Sequence, residues 1–189
     1  MRYNMKKLIK KILVSIGLRH PAKGIKISPE RKSQVVLSYK SPEMTVLVET
    51  GTEFGNMIEA AKKHFTEIYS VELDKNLYLD ACKRFYGQEQ IHLYNGDSAQ
   101  EIRKILNHIV APALFWLDAH GTDQITFTNS PIEGELRAIF AHAVKGHVIL
   151  IDDARHFTRE DIRKIEDMAR ANKYHCLIDE GLFRLAPQF

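Results

Sequence analysis

Apolar and polar residues along this chain follow two different periods. Short, nearly all-apolar runs recur at Thr45–Glu49, Ile68–Val71, Ile91–Tyr94, Ala113–Leu117 and His147–Ile151. Runs of this length and character suit strands buried on both faces. Between them the apolar residues fall at helical spacing, with Met57, Ile58, Ala61 and Phe65 within 56–65 and Leu77, Cys82 and Phe85 within 76–85. Ser98, with Glu101 three residues on, predicts a capping box at the start of a third helix. Ser130-Pro131-Ile132-Glu133 predicts a second box, with Pro at the first helical position, for a helix reaching about Val144. Thr158 and Asp161 open another, to about Asn172. His175–Ile178 and Leu182–Leu185 flank the turn Asp179–Gly181, which is a hairpin signal. Ahead of all this, Ser28-Pro29-Glu30 opens a short helix over Arg31–Tyr39. Five strand–helix units in a row predict an α/β fold: a doubly wound, mostly parallel Rossmann-like sheet with a closing antiparallel hairpin.

The first 27 residues stand apart. Met5, Leu8, Ile9, Ile12, Leu13 and Ile16 share one helical face and lysines occupy the other, with Gly17 as a stop. The stretch is too short and too interrupted to span a bilayer, and it lacks the form of a secretory signal. Residues 1–27 therefore read as a basic amphipathic arm and linker, and 28–189 as the Rossmann-like domain. The arm suits packing on the domain or on a second copy in a homodimer. The sharper alternative is peripheral contact with an anionic membrane.

Composition refines this picture in two places. The 189 residues are 44% hydrophobic and 27% charged, as in ordinary globular domains, and the two cysteines, Cys82 and Cys176, show no disulfide or metal spacing. Both read as reduced thiols in a cytoplasmic protein. The net charge of +3 conceals an asymmetry. Eight of the 27 basic residues lie in residues 1–29, which carry no acid, so the rest holds 19 basic against 24 acidic residues. A mildly acidic body argues against a nucleic-acid surface.

The candidate chemistry sits where strands end. Glu49, Glu72, Asp97, Asp118, Asp152 and Asp153 each follow an apolar run. In a parallel sheet such positions gather around one crevice at the carboxyl edge. The turn Glu49-Thr50-Gly51-Thr52-Glu53-Phe54-Gly55 lets backbone approach a ligand. Glu72, 23 residues after Glu49, is placed to accept the hydroxyls of a ribose. The glycine spacing fits neither the dinucleotide fingerprint nor a phosphate-binding loop with its lysine. An adenosine without a pyrophosphate cradle is the better expectation.

In these residues the chain resembles the class I S-adenosylmethionine-dependent methyltransferases, over roughly residues 43–186. Glu49 to Gly55 is similar to the family's first motif, with Glu53 where a middle glycine is usual. Val71-Glu72-Leu73-Asp74 resembles the second and Gly96-Asp97-Ser98 the third. The resemblance implies S-adenosylmethionine as cofactor. It gives Glu49 and the backbone at Gly51 to the methionine part, Glu72 to the ribose, and Leu73 and Asp97 to the adenine, with Thr52, Gly55, Ser98 and Asp118 as further cofactor-binding residues. Asp118, Asp152 and Asp153 are similar to the metal ligands of metal-dependent sugar and small-molecule O-methyltransferases. They imply Mg²⁺ bound to a substrate diol, with His120 or His156 taking the proton. The plainer reading of Asp152-Asp153 is a loop or helix cap. Trp116 is expected in the core, and His142 and His147 are expected to be structural. The expected activity is O-methylation of a small hydroxylated acceptor under the loop 121–129. The rivals are a metal-dependent hydrolase using the same aspartates and a cofactor-binding module without chemistry.

Overall fold

The computed structural model describes residues 27–119, 127 and 130–188. The N-terminal arm, His120 and, apart from Phe127, the loop 121–129 lie outside the described residues. Seven strands form one sheet: β1 (Val46–Thr50), β2 (Glu67–Glu72), β3 (Ile91–Asn95), β4 (Leu114–Leu117), β5 (Val148–Ile151), β6 (Tyr174–Asp179) and β7 (Leu182–Pro187). Their spatial order is β3-β2-β1-β4-β5-β7-β6. The first five strands pair in parallel, while β7 runs antiparallel to both β5 and β6. The chain therefore crosses from β1 outward to β3 and returns to place β4 on β1's other side. That reversal between β1 and β4 is the switch point at which such sheets bind ligands.

Strand alternation distributes the core to two faces. Val48, Phe115 and Ile149 point to one side, where Ile102, Ile105, Leu136, Ile139 and Ile165 cover them. Leu47, Leu114, Trp116, Val148 and Leu150 point to the other, under Val35, Val36, Met57 and Ile58. The helices supplying these residues are α1 (Pro29–Ser38), α2 (Asn56–Ala61), α3 (Lys75–Arg84), α4 (Ser98–Leu106), α5 (Ile132–Ala141) and α6 (Arg159–Ala171). The first three cover one face and the last three the other. Each fully buried aliphatic side chain contributes about 2 kcal/mol. Among the described residues no helix is long and apolar enough to cross a membrane.

Several local expectations hold. Ser28 Oγ accepts the Arg31 N–H as N-cap, with Pro29 at the first helical position. Thr158 and Asp161 form a reciprocal capping box. Glu180 and Gly181 both take positive φ (51° and 76°), the turn that a two-residue hairpin needs. Trp116 is core, and both cysteines are free. Three expectations fail. The cap of α4 is Asp97, whose Oδ1 accepts from Ala99 N at 2.8 Å. A carboxylate one residue earlier pre-empts the Ser98 box, and Glu101 pairs instead with Lys104. No side chain caps α5, which ends at Ala141, three residues before the expected stop. Finally, α2 ends at Ala61, because the chain must turn so that Thr66 N can donate to Thr45 O at 2.8 Å.

Candidate functional site

The loop after β1 is shaped by close backbone packing. Gly51 has φ +85°, and a Cβ there would lie 2.5 Å from the carbonyl oxygen of Asp118. Only glycine lets the end of β1 lie against the end of β4. Two residues on, Glu53 adopts φ 47°, a left-handed conformation that glycine takes most readily. The turn survives without the glycine, and its N–H donates to Glu72 Oε2 at 2.8 Å. Asp74 N donates to Oε1 of the same carboxylate at 2.9 Å. Glu72 is thus fixed by two backbone amides, and each oxygen keeps a free lone pair.

Glu49 is buried behind this loop at 2% exposure. Ser70 Oγ donates to its Oε2 at 2.6 Å and lies 2.7 Å from Thr52 Oγ1, so a chain of hydroxyls leads from the loop to the carboxyl. Burial pushes Glu49 up to about 8; the Ser70 bond opposes this, and the charges of Glu72 and Glu53 add to it. Burial of this kind favours the protonated acid unless a cation is brought beside it.

In front of the loop opens a cleft of about 500 Å³, within the range of small-molecule sites. Gly51, Glu72, Leu73, Asp97 and Ser98 line it, as expected. Glu49, Thr52 and Gly55 do not, and Asp118 is represented by its neighbour Ala119. Leu73 is 74% exposed, an apolar side chain with no protein cover. The far wall is α5, through Pro131, Glu133, Gly134 and Arg137. Behind that wall Glu135 is fully buried. Burial raises its carboxyl to about 7 against the hydroxyls of Ser98 and Thr50, although none of these closes a well-formed hydrogen bond.

The second half of the site lies at the ends of β4 and β5. Asp118, Asp152 and Asp153 each bring a carboxylate oxygen within 4.8 Å of the others. The sequence expectation that these three converge is met. Asp153 takes φ 51°, which turns its side chain back toward the cluster, and Arg155 pairs with it at 3.0 Å. His156 Nε2 lies 4.0 Å from Asp153 and accepts from Arg155 Nε at 2.9 Å. A further residue enters from a distance. The Lys32 ammonium, from α1, contacts Asp152 Oδ2, lies 3.4 Å from Asp118 Oδ2 and sits 5.9 Å from the Trp116 ring. Burial works against this ammonium, but Asp118 and Asp152 outweigh it and hold its pKa above the ordinary lysine value. Burial also pushes Asp118 up to about 8, with Asp152 adding and Lys32 opposing. His142 and His147 stack on each other away from the site. His147 accepts from Ala113 N at 3.1 Å, and burial lowers its pKa to about 4.

Lys32 and Glu135 escaped the sequence reading, although the same signal marks both. Lys32 shares a helical face with Val35, Val36 and Tyr39, and Glu135 shares one with Ile132, Leu136 and Ile139. A charge on an apolar stripe must find a partner or shift its pKa. Arg137 and Gly134 carried no comparable mark.

No family model matches the chain, and no curated protein is similar to it in sequence. Solved structures are similar in fold. An O-methyltransferase from Bacillus cereus in complex with S-adenosylhomocysteine matches with a TM-score of 0.60 at 12% identity, over 98% of this chain and 92% of that one. An S-adenosylmethionine-bound amino pentose methyltransferase from Micromonospora echinaspora matches with 0.57 at 14% identity, over 96% and 97%. A ribosomal protein L11 methylase from Lactobacillus delbrueckii matches with 0.57 at 9% identity, over 85% and 79%. The seven-stranded sheet and its strand order are thus those of the class I methyltransferase fold.

Proposed function

We propose that this protein is an S-adenosylmethionine-dependent methyltransferase acting on an oxygen of a small hydroxylated acceptor, such as a sugar. The observation that carries the reading is the cleft at the β1–β4 switch point, with the pre-oriented Glu72 carboxylate on its wall and exposed Leu73 beside it. Neighbours of the same fold include an O-methyltransferase, an amino pentose methyltransferase and a ribosomal protein methylase, which supports methyl transfer.

In this reading each part of the cleft has a task. Glu72 accepts the two ribose hydroxyls through its free lone pairs. Leu73 covers one face of the adenine, and Asp97 and Ser98 border its edge. Glu49 does not line the cleft, so the methionine ammonium acts on it from the loop that Gly51, Thr52 and Gly55 shape, through the Thr52 and Ser70 hydroxyls, and its charge would favour the ionised carboxyl. The bound cofactor supplies an electrophilic methyl group on a sulfonium. The chain's own part is to hold the acceptor oxygen in place and to take up its proton. His120, beyond the described residues, takes that proton, or His156 in exchange for the Arg155 N–H that its Nε2 accepts, and Asp118 orients the hydroxyl. Much of the rate comes from positioning, because the reacting atoms must be in line.

Mg²⁺ does not fit the cluster as it is arranged. An ion bonded to both Asp118 Oδ2 and Asp152 Oδ2 would have to take the place of the Lys32 ammonium. The reaction is therefore read without a metal.

Calorimetric titration with S-adenosylhomocysteine tests the reading. Wild-type protein should bind saturably at micromolar concentrations. Glu72→Ala should weaken binding by about 50-fold, the worth of two charge-assisted hydrogen bonds. A folded wild type that binds nothing would overturn the proposal.

A further inference from the structure

We propose that Lys32 is the resident cation of the Asp118–Asp152–Asp153 cluster, delivered by α1 to the place where the sequence suggests a divalent metal. Its role toward an acceptor rests on the methyltransferase reading, whereas its role as the cluster's cation does not.

The charge arrangement carries the argument. Three carboxylates within 4.8 Å of one another repel, and Asp152 is nearly inaccessible to water at 2% exposure. Such a group needs either a cation or a change of protonation. Among the described residues two side-chain cations meet it: Arg155 on Asp153, and Lys32 on both Asp152 and Asp118. Arg155 is a near neighbour in sequence, but Lys32 comes from 86 residues before Asp118. Its placement is not an accident of a flexible surface chain. Val35 and Val36, one turn further along α1, are buried in the core, which fixes the helix on the sheet. The Trp116 ring flanks the ammonium at 5.9 Å, a geometry that favours a cation.

An ammonium and a divalent ion serve this site differently. A lysine head is a point charge with three donors. With two donors turned to Asp152 and Asp118, one remains for an oxygen of the acceptor. It can stabilise one developing oxyanion but cannot chelate a diol. The acceptor would therefore be held at a single oxygen. The docking of α1 also becomes part of building the site, since that helix carries the charge.

Manganese binding tests this without any need for turnover. Mn²⁺ would be titrated into full-length wild type, Lys32→Met, and Lys32→Met combined with Asp152→Asn, following free Mn²⁺ by electron paramagnetic resonance. Wild type should show no saturable site up to about 1 mM, a binding energy near 4 kcal/mol. Lys32→Met should gain a 1:1 site at least about tenfold tighter, because three carboxylates then lack their main cation. The double variant should lose it. Tight 1:1 binding by wild type that Asp152→Asn abolishes would overturn the proposal, because the ammonium would then yield to metal. A folded Lys32→Met that binds no better than wild type would overturn it as well. Should Lys32→Met fail to fold, Lys32→Gln and the wild-type titration still decide. The S-adenosylhomocysteine titration on the same samples keeps the two ideas separate: its failure would remove the methyltransferase reading and leave the manganese result standing.

Discussion

The two halves of the candidate site handle their acids in opposite ways. Along β1–β3 the carboxylates are satisfied from nearby, mostly by backbone. Glu72 accepts from Glu53 N and Asp74 N, Asp74 from Asn76 N and Leu77 N, and Asp97 from Ala99 N. Along β4–β5 the carboxylates press on one another and are balanced by side-chain cations, one of them 86 residues away. Amide-held carboxylates are rigid acceptors, suited to hydroxyls of a ligand that always binds in one pose. Carboxylates held by a counter-charge are poised to respond when a polar group enters. On the proposed reading the first half recognises and the second reacts.

Gly51 joins the halves, so changing it should have the largest effect. A Cβ would meet the Asp118 carbonyl oxygen at 2.5 Å and its carbon at 2.8 Å, and backbone cannot swing aside as a side chain tip can. Gly51→Ala adds the left-handed penalty of about 1–2 kcal/mol to overpacking of about 1–3 kcal/mol, for roughly 3 kcal/mol in all. Urea unfolding should show that loss, and the folded fraction should bind S-adenosylhomocysteine poorly. A variant within about 0.5 kcal/mol of wild type would mean that the β1 and β4 ends are not locked together, and the two halves would be independent.

Glu49 is the exception within the first half, since no backbone amide holds it, and it gives the next effect. Its carboxyl rises from the ordinary value to about 8 in the folded protein. Between those limits the native state binds more protons than the unfolded chain, so stability is full at low pH and declines as pH rises from about 4.5 to 8. Asp118 at about 8 and Glu135 at about 7 act in the same direction. Glu49→Gln removes one contributor while keeping a side-chain oxygen for Ser70. The variant should exceed wild type by about 2 kcal/mol at pH 8 and match it near pH 5, as read from urea midpoints. Its affinity for S-adenosylhomocysteine should fall about tenfold, from loss of the partner for the ammonium. An unchanged pH slope would place the burden on the second half alone.

The sheet and much of the first half were legible in the sequence. Apolar runs of four or five residues, most of them ending in an acid, marked the parallel strands, and hairpin chemistry at Glu180-Gly181 placed the last two. What was not legible is that β7 inserts between β5 and β6, because periodicity says nothing of which edge a hairpin joins. The cap of α4 was misplaced by one residue because Asp97 competes with Ser98 for the same amides. The convergence of Asp118, Asp152 and Asp153 could be read from strand ends. Lys32 could not be paired with them, since sequence spacing carries no distance across 86 residues. That a charge lay on the apolar stripe of α1 was visible; which acid it would meet required the fold.

Leu73 should give the smallest effect and the sharpest one. It is 74% exposed at the edge of the cleft, so it contributes little to the core. On the proposed reading this exposed leucine meets the apolar face of the adenine. Leu73→Ser should leave stability within about 0.5 kcal/mol of wild type, because little buried surface is lost. Binding of S-adenosylhomocysteine should weaken by about five- to tenfold, from some 40–50 Å² of adenine contact at roughly 25 cal/mol per Å². Thermal melts and the same calorimetric titration read the two quantities separately. Lost stability with intact binding would make Leu73 a structural residue and move the adenine elsewhere in the cleft. Weakened binding with intact stability would separate recognition from folding at a single side chain, as the amide-held half of the site implies.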